Sequence, residues 1–157
     1  ASKEDINNSL ERLNYLNESK SGYETADVKR ELQECMQNYF GVFRRGDFME
    51  KGLTELSEIR NKVENLHLKD KSDAFNTSRV EAIELQNLFE VAEATAISAF
   101  ERNESRGAHA RDDFPDRDDD NWLCHSLYDP ITKSISKRDV NFAPSQVEAF
   151  PPIVRTY

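Results

Sequence analysis

The chain has 157 residues, enough for one domain to bury a core without disulfide or metal staples. Its 21 Lys and Arg against 30 Asp and Glu give a net charge of −9, which argues against a nucleic-acid backbone or an anionic membrane surface as the main partner. Cys35 and Cys124 are too isolated to indicate a disulfide framework or a zinc site. No apolar run approaches the ~20 residues that span a bilayer, and the first residues do not resemble a signal peptide, so we expect a soluble chain.

Two amphipathic helices are predicted in the first part of the chain. Ser2 and Asp5 have the spacing of a capping box, which would begin a short helix with an apolar face of Ile6, Leu10, Leu13 and Leu16. After a loop at 17–22, a second helix is predicted from Thr25 to Phe43, ended by the basic residues and glycine at 44–46. Its apolar stripe comprises Val28, Leu32, Cys35, Met36, Tyr39 and Phe43.

A third and a fourth helix follow. Asp47 with Glu50 predicts a capping box for the third, whose stripe is Phe48, Gly52, Leu56, Ile59, Val63 and Leu66. The fourth begins near Asn76 to Ser78, where Ser78 and Glu81 again have capping-box spacing, and is predicted to end at about Asn103. Its apolar residues form two sides, namely Val80, Ile83, Leu88, Val91 and Thr95, and Leu85, Phe89, Ala92, Ala96 and Phe100. Such a helix is predicted to be central and covered on two sides.

These patterns predict a mainly α fold in one domain. We expect a spectrin-repeat-like antiparallel three-helix bundle with a short N-terminal helix, a small C-terminal β-hairpin and an extended tail. The expected parts are a lead-in helix and loop at 1–22, the bundle at 23–106, and a charged junction, hairpin and extended strap at 107–157. The hairpin would pair 122–128 with 135–142 around the Asp129-Pro130 turn.

Several residues at 104–127 invite a chemical interpretation. Ser105 and His109 lie four apart, which superficially offers a nucleophile with its base, but Gly107 between them and the lack of an orienting carboxylate favour a structural or interface role. Cys124 and His125 are adjacent in a predicted strand, so their side chains point to opposite faces and form no thiolate–imidazolium pair.

The acidic run between residues 112 and 120 suggests a calcium loop only at first sight. Asp116, Asp118 and Asp120 match the first ligand positions, but Asn121 stands where glycine is needed and Leu127 where the final glutamate should be. Because arginines are interspersed, an ion-pair network at a docking surface or a solvated loop fits better than a metal site. The five glycines form no phosphate-binding loop, so no independent cofactor motif is present in the sequence.

A family resemblance extends this interpretation. Residues 104–111 (ESRGAHAR), 114–119 (FPDRDD) and 121–127 (NWLCHSL) closely resemble the C-terminal domain of succinate dehydrogenase and fumarate reductase flavoprotein subunits. Further similarity lies at residues 32–37, 42–44, 75–77, 84–88 and 150–157. The ESRG motif also suits aspartate oxidases, whereas the RDDDNWL stretch and the Pro-Pro tail point to the respiratory enzymes. The final residues 155–157 are more similar to bacterial succinate dehydrogenase than to fumarate reductases.

The resemblance implies an enzyme of which this chain is one part. The full subunit would bind FAD covalently, oxidise succinate to fumarate, and pass electrons to an iron-sulfur subunit and then to quinone. The FAD-linking and catalytic positions of the family belong to preceding domains and match nothing here. We therefore assign no catalytic, cofactor-binding or metal residue to this chain, and expect it to be inactive and free of cofactor when isolated.

Docking is the expected role of the chain itself. The resemblance implies contacts with the FAD-binding domain of the same subunit and with the iron-sulfur subunit, without nucleic acid or direct membrane insertion. It places the complex on the cytoplasmic side of the inner membrane of a bacterium, with this subunit held there peripherally by its partner subunits. The residues expected to contribute to docking are Glu104, Ser105, Arg106, Gly107, His109, Arg111, Arg117, Trp122, His125, Arg155 and Tyr157.

The tail would be a strap anchored by Phe150, Ile153, Val154 and Tyr157, frayed in the isolated chain or held by a neighbour. The alternative functions are the C-terminal domain of a fumarate reductase or an aspartate oxidase, or a free-standing helical adaptor that binds a protein partner through the acidic junction.

Overall fold

The computed structural model describes residues 2–150 and 152–153. The helices are α1 (Lys3–Glu18), α2 (Thr25–Tyr39), α3 (Gly46–Glu64), α4 (Thr77–Glu101) and the single turn α5 (Asp119–Trp122). The strands are β1 (Phe43–Arg44), β2 (Ala110–Arg111), β3 (Cys124–Asp129) and β4 (Ser134–Asp139). This element order confirms the predicted mainly α fold with a C-terminal hairpin.

The core lies between α2, α3 and α4. Glu31 on α2 pairs with Lys62 near the end of α3, so these two helices are antiparallel, and Arg60 on α3 pairs with Glu93 on α4. Their apolar stripes face inward, as the helical spacing predicts. The fully buried side chains include Val28, Leu32, Cys35, Met49, Leu56, Ile59, Leu85 and Phe89.

Gly52 lies where α2 and α3 approach each other closely. A Cβ atom at this position would lie 2.5 Å from Cε2 of Phe40 and 2.6 Å from Cβ of Tyr39. The thiol of Cys35 contacts the carbonyl of Gly52 at 3.6 Å, which again reflects a small separation between the backbones. The third-helix stripe therefore includes a glycine because the end of α2 occupies the space of a side chain.

The first helix begins as predicted but is buried less than predicted. Ser2 and Asp5 form the reciprocal capping box. Of the predicted apolar face only Leu16 is buried, whereas Ile6 and Leu10 are 52% and 51% exposed. The Arg12 side chain holds α1 against α4 by donating to the carbonyl of Ile83 at 2.9 Å. The apolar side chains in the first two turns of α1 thus remain about half exposed.

The end of α2 and the start of α3 differ from the prediction. The second helix stops at Tyr39, not Phe43, because Phe43 and Arg44 leave it to form β1. The predicted capping box at Asp47 is wrong, since the N-cap is Arg45 and makes no side-chain cap hydrogen bond. Asp47 instead pairs with the Arg45 guanidinium at 3.1 Å.

The central helix α4 is capped by Asn76, whose side chain accepts from the Arg79 amide at 2.8 Å. The helix ends at Glu101, two residues before the predicted end. The predicted side of Leu85 and Phe89 faces the core. The other side is largely open within the described residues, with Val80, Leu88 and Val91 exposed by 55%, 42% and 64%. The prediction that α4 is covered on two sides is therefore wrong for this chain.

Two small sheets complete the fold. β1 and β2 pair in parallel, with Arg44 opposite Arg111, and this pairing has no counterpart in the sequence-based prediction. β3 and β4 form the predicted antiparallel hairpin. Its strands, 124–129 and 134–139, are shorter than the predicted strands, 122–128 and 135–142. The Tyr128 hydroxyl donates to Glu93 of α4 at 2.9 Å and fixes the hairpin to the bundle.

The tail carries few contacts in its described part. Phe150 and Ile153 are 77% and 78% exposed, and Arg117 donates to the Ile153 carbonyl at 2.9 Å. The predicted anchors Val154 and Tyr157 lie outside the described residues. Over residues 2–150 and 152–153, none of the helices combines the length and apolar character needed to cross a bilayer.

Candidate functional site at the charged junction

The segment 104–127, here called the junction, folds around one buried carboxylate. The Glu104 side chain is fully buried, and it accepts hydrogen bonds from Arg102, from Arg106 at 2.8 and 3.0 Å, and from the Asp118 amide at 2.9 Å. Burial acts to raise the pKa of Glu104, but the bonds from Arg106, Asp118 and Arg102 outweigh burial and hold that pKa below its usual range. Glu104 is therefore an ionised interior anchor.

Arg111 closes the carboxyl end of α4. Its guanidinium is 3% exposed and donates to the backbone carbonyls of Ala99, Phe100 and Arg102, which have no helical partner. The Asp113 carboxylate accepts two hydrogen bonds of 2.7 Å from the other edge of the Arg111 guanidinium. It also accepts from the Gly46 amide at 2.9 Å. Arg111 thereby joins the end of α4, the junction and the start of α3.

His109 is held in one tautomer by its neighbours. Because Arg44 can only donate, the contact of 2.8 Å makes Nδ1 of His109 the acceptor, so Nε2 carries the proton and donates to the Arg102 carbonyl at 3.0 Å. Burial lowers the pKa of His109, and the charges of Arg44, Arg111 and Arg102 lower it further against the opposing effect of the carbonyl bond. A neutral imidazole thus bridges two arginine-bearing segments.

Ser105 and His109 do not form a nucleophile–base pair. The helix has already ended at Glu101, and Gly107 adopts φ +59 in a tight turn in which the Arg106 amide donates to the His109 carbonyl. The Ser105 hydroxyl donates to the Phe114 carbonyl and accepts from the Arg111 amide, both at 2.8 Å. Both side chains hold the loop in shape.

The acidic run forms ion pairs. Asp119 contacts Arg106 at 2.6 Å and Arg117 at 2.9 Å, while the Asp118 side chain accepts from the Asn121 amide and caps α5. Within the part of the chain that the structure describes, no group of three or more His, Cys, Asp or Glu residues is arranged to hold a metal ion. The network interpretation fits these contacts.

Arg102 links the junction to the hairpin. Besides Glu104, it donates to the carbonyls of Trp122 at 3.0 Å and Cys124 at 2.8 Å, and it lies 5.1 Å from the centre of the Trp122 ring. Lys137 of β4 covers the same ring at 3.5 Å. Cys124 is half-buried and His125 exposed, which confirms that they point to opposite faces of the strand.

A groove runs along α4 beside the junction. It has a volume of about 700 Å³ and lies between α4 and β3. Arg44 and His109 lie at the end near Arg102, and Glu90 lies at the end near Tyr128. The wall from α4 includes Val91, Ala94, Thr95 and Ser98.

The structure brings most of the predicted docking residues into one cluster, from Glu104 to Arg117 with Trp122 packed on Arg102. His125 stands on the exposed face of β3, while Arg155 and Tyr157 lie outside the described residues. Sequence reasoning did not include Arg44 and Arg102 among the site residues. Arg102 lies only two residues before Glu104, which could have indicated its place in the cluster. Arg44 belongs to segment 42–44, one of those that carry the family resemblance, which could have indicated Arg44.

Fold and site together define a helical domain whose last bundle helix ends in a buried arginine–glutamate junction. The family model described as fumarate reductase flavoprotein C-term matches residues 29–157. A succinate dehydrogenase flavoprotein subunit of Coxiella burnetii is 40% identical over 149 residues, which cover 95% of this chain and 25% of that protein. One from Rickettsia felis is 36% identical over 169 residues, with 100% of this chain and 27% of that protein covered.

A solved structure gives the same result in three dimensions. An E. coli quinol fumarate reductase FrdA chain matches with a TM-score of 0.85 at 31% identity, covering 99% of this chain and 26% of that chain. This chain belongs to the family of C-terminal domains of succinate dehydrogenase and fumarate reductase flavoproteins. It spans about a quarter of the length of the curated relatives it matches.

Proposed function

We propose that this chain is the C-terminal helical domain of a succinate dehydrogenase flavoprotein subunit. The full subunit oxidises succinate to fumarate with covalently bound FAD, then passes electrons to an iron-sulfur subunit and on to quinone. The observation that carries the proposal is the 40% identity over 95% of this chain to a succinate dehydrogenase flavoprotein of which it covers only 25%. The flavin chemistry then belongs to the other three quarters of the subunit.

This domain has a structural role in the subunit and also serves as a docking surface for its partners. The carboxylate of Glu104 and the guanidinium of Arg111 fix the loop from Ser105 to Arg117 against the end of α4 with charge-assisted bonds, which are stronger and more directional than neutral ones. A loop fixed in this way presents Arg117 with little ordering cost on binding. Its partners are the FAD-binding domain of the same subunit and the iron-sulfur subunit. The complex lies on the cytoplasmic side of the inner membrane of a bacterium, peripherally through those subunits.

The decisive experiment measures succinate-dependent dye reduction. The full-length subunit, purified with its flavin, should turn over, whereas this chain with added FAD should give no rate above background. Turnover by this chain alone would place catalytic groups within residues 1–157, and a full-length subunit inactive with succinate would refute the assignment of substrate.

Fumarate reductase is the second candidate. The quinol fumarate reductase FrdA match at TM-score 0.85 favours it, as does 32% identity to a Mycobacterium tuberculosis fumarate reductase flavoprotein subunit over 136 residues. The two functions differ in direction. The ratio of succinate oxidation to fumarate reduction by the assembled complex, measured with matched quinone and quinol, decides between them.

A further inference from the structure

Arg44 differs from the neighbouring arginines of the junction. Arg102, Arg106 and Arg111 each have a carboxylate oxygen within hydrogen-bond distance. Arg44 has no carboxylate partner among the described residues. Its Nε donates to the Phe40 and Gly41 carbonyls and its Nη1 to His109, which leaves Nη2 without a partner in the described part of the chain.

A second arginine lies next to Arg44 although the chain carries a net charge of −9. Arg111 lies opposite it in the β1–β2 pair, and neutral His109 provides no countercharge. Burial, together with the charge of Arg111, lowers the pKa of Arg44. The group nevertheless stays charged at neutral pH, because an arginine pKa starts far above that range. A half-buried cation without a countercharge is costly, so an anion at Nη2 would be stabilising.

The groove leading to Arg44 suits a polypeptide segment better than a free hydrated ion. Its α4 wall carries Val91, which is 64% exposed, and the uncovered side of α4 continues this apolar surface to Leu88 and Val80. The carboxylate that lines the groove, Glu90, lies about 18 Å along α4 from Arg102, since each helical residue rises 1.5 Å. One end of the groove is therefore cationic, and exposed apolar surface lies toward the other end, at Val91.

We infer that the groove between α4 and β3 receives a segment from the remaining three quarters of the flavoprotein subunit, with an Asp or Glu side chain of that segment bound to Arg44. The relatives are about four times as long as this chain, so a large surface of the same polypeptide is available to cover α4. This inference rests on the proposed function and names the docking surface and the chemistry of its occupant.

Zero-length cross-linking tests the inference. Arg44→Lys in the full-length subunit places an amine at the same end of the groove, and a carbodiimide then joins that amine to a carboxylate in contact with it. Peptide mass spectrometry should find position 44 joined to an Asp or Glu outside residues 1–157. Arg45→Lys is the matched control, because Arg45 is exposed and pairs with Asp47, so its cross-link should stay within this chain.

A second variant covers the case in which Arg44→Lys does not fold. Thr95→Lys changes an exposed residue on the α4 wall of the same groove, and it should also give cross-links to the rest of the subunit. Two results would overturn the inference: cross-links only to carboxylates within this chain, or no cross-links at all. The second is what a free succinate or phosphate ion in the groove would give. Dye reduction by the same preparation tests the proposed function separately, so the two can fail independently.

Discussion

At the scale of single residues, Glu104 determines the shape of the junction. Its carboxylate is fully buried and satisfies Arg102, Arg106 and the Asp118 amide together. The sequence placed Glu104 among the expected docking residues. Spacing alone cannot show that the residue lies inside the chain, because burial here depends on the loop that returns from residue 118.

Glu104→Gln should destabilise the chain by about 3 kcal/mol, because removing one member of a buried charge network leaves the others unpaired. Urea unfolding followed by circular dichroism measures this. Asp119→Asn is the control, since that partner of Arg106 is 37% exposed and should cost less than about 1 kcal/mol. Equal losses in the two variants would show that the burial of Glu104 contributes no extra stability.

At the scale of elements, the packing of α2 on α3 depends on one glycine. In Gly52→Ala the new methyl group would lie 2.5 Å from the Phe40 ring and 2.6 Å from Cβ of Tyr39. Overpacking costs about 1–3 kcal/mol, whereas alanine gains about 1 kcal/mol in helix propensity, so we expect a net loss of about 1 kcal/mol.

The control for this prediction is Ser57→Ala on the exposed face of the same helix, which should change the free energy of unfolding by less than about 0.5 kcal/mol. Thermal unfolding of both variants makes the comparison. A Gly52→Ala variant more stable than the wild type would mean that Phe40 can move aside at no cost.

Local patterns predicted the helices better than their ends. The spacing of Leu32 and Cys35 correctly identified the buried stripe of α2. Phe43 also fits that spacing, but it pairs with Ala110 in β1–β2, and no local pattern can reveal a partner so far along the chain. For the same reason Arg44 was not assigned to the site, while the residues from Glu104 to Arg111, which are contiguous, were.

At the scale of the whole molecule, acid should unfold the chain although it also neutralises its excess negative charge. Hydrogen bonds from Arg111 have the largest influence on the pKa of Asp113 and lower it to about 2. Hydrogen bonds from Arg106 likewise lower the pKa of Asp119. Because the folded pKa lies below the unfolded value of about 3.9, this stabilisation is present above pH ~4 and is lost as the pH falls through about 2.

Asp113→Asn should therefore lower the free energy of unfolding by about 1 kcal/mol at neutral pH, a value that allows for solvent screening of a carboxyl group that is 35% exposed. The difference from the wild type should shrink as the pH is lowered from about 4 toward 2. Urea unfolding at a series of pH values measures both. Asp112→Asn, which removes a charge without an ion pair in the described residues, should stay within about 0.5 kcal/mol, and a pH-independent deficit in Asp113→Asn would contradict the assignment.

The bond between the Gly46 amide and Asp113 has a consequence for the order of folding. It closes a loop of 67 residues, and such a closure becomes favourable only after α3 and α4 have formed and shortened the path. We therefore expect the helices to dock first and the junction to lock last. A nascent chain that stops short of Arg111 would leave the carboxyl end of α4 frayed and open to proteases, so this late contact distinguishes finished chains from unfinished ones.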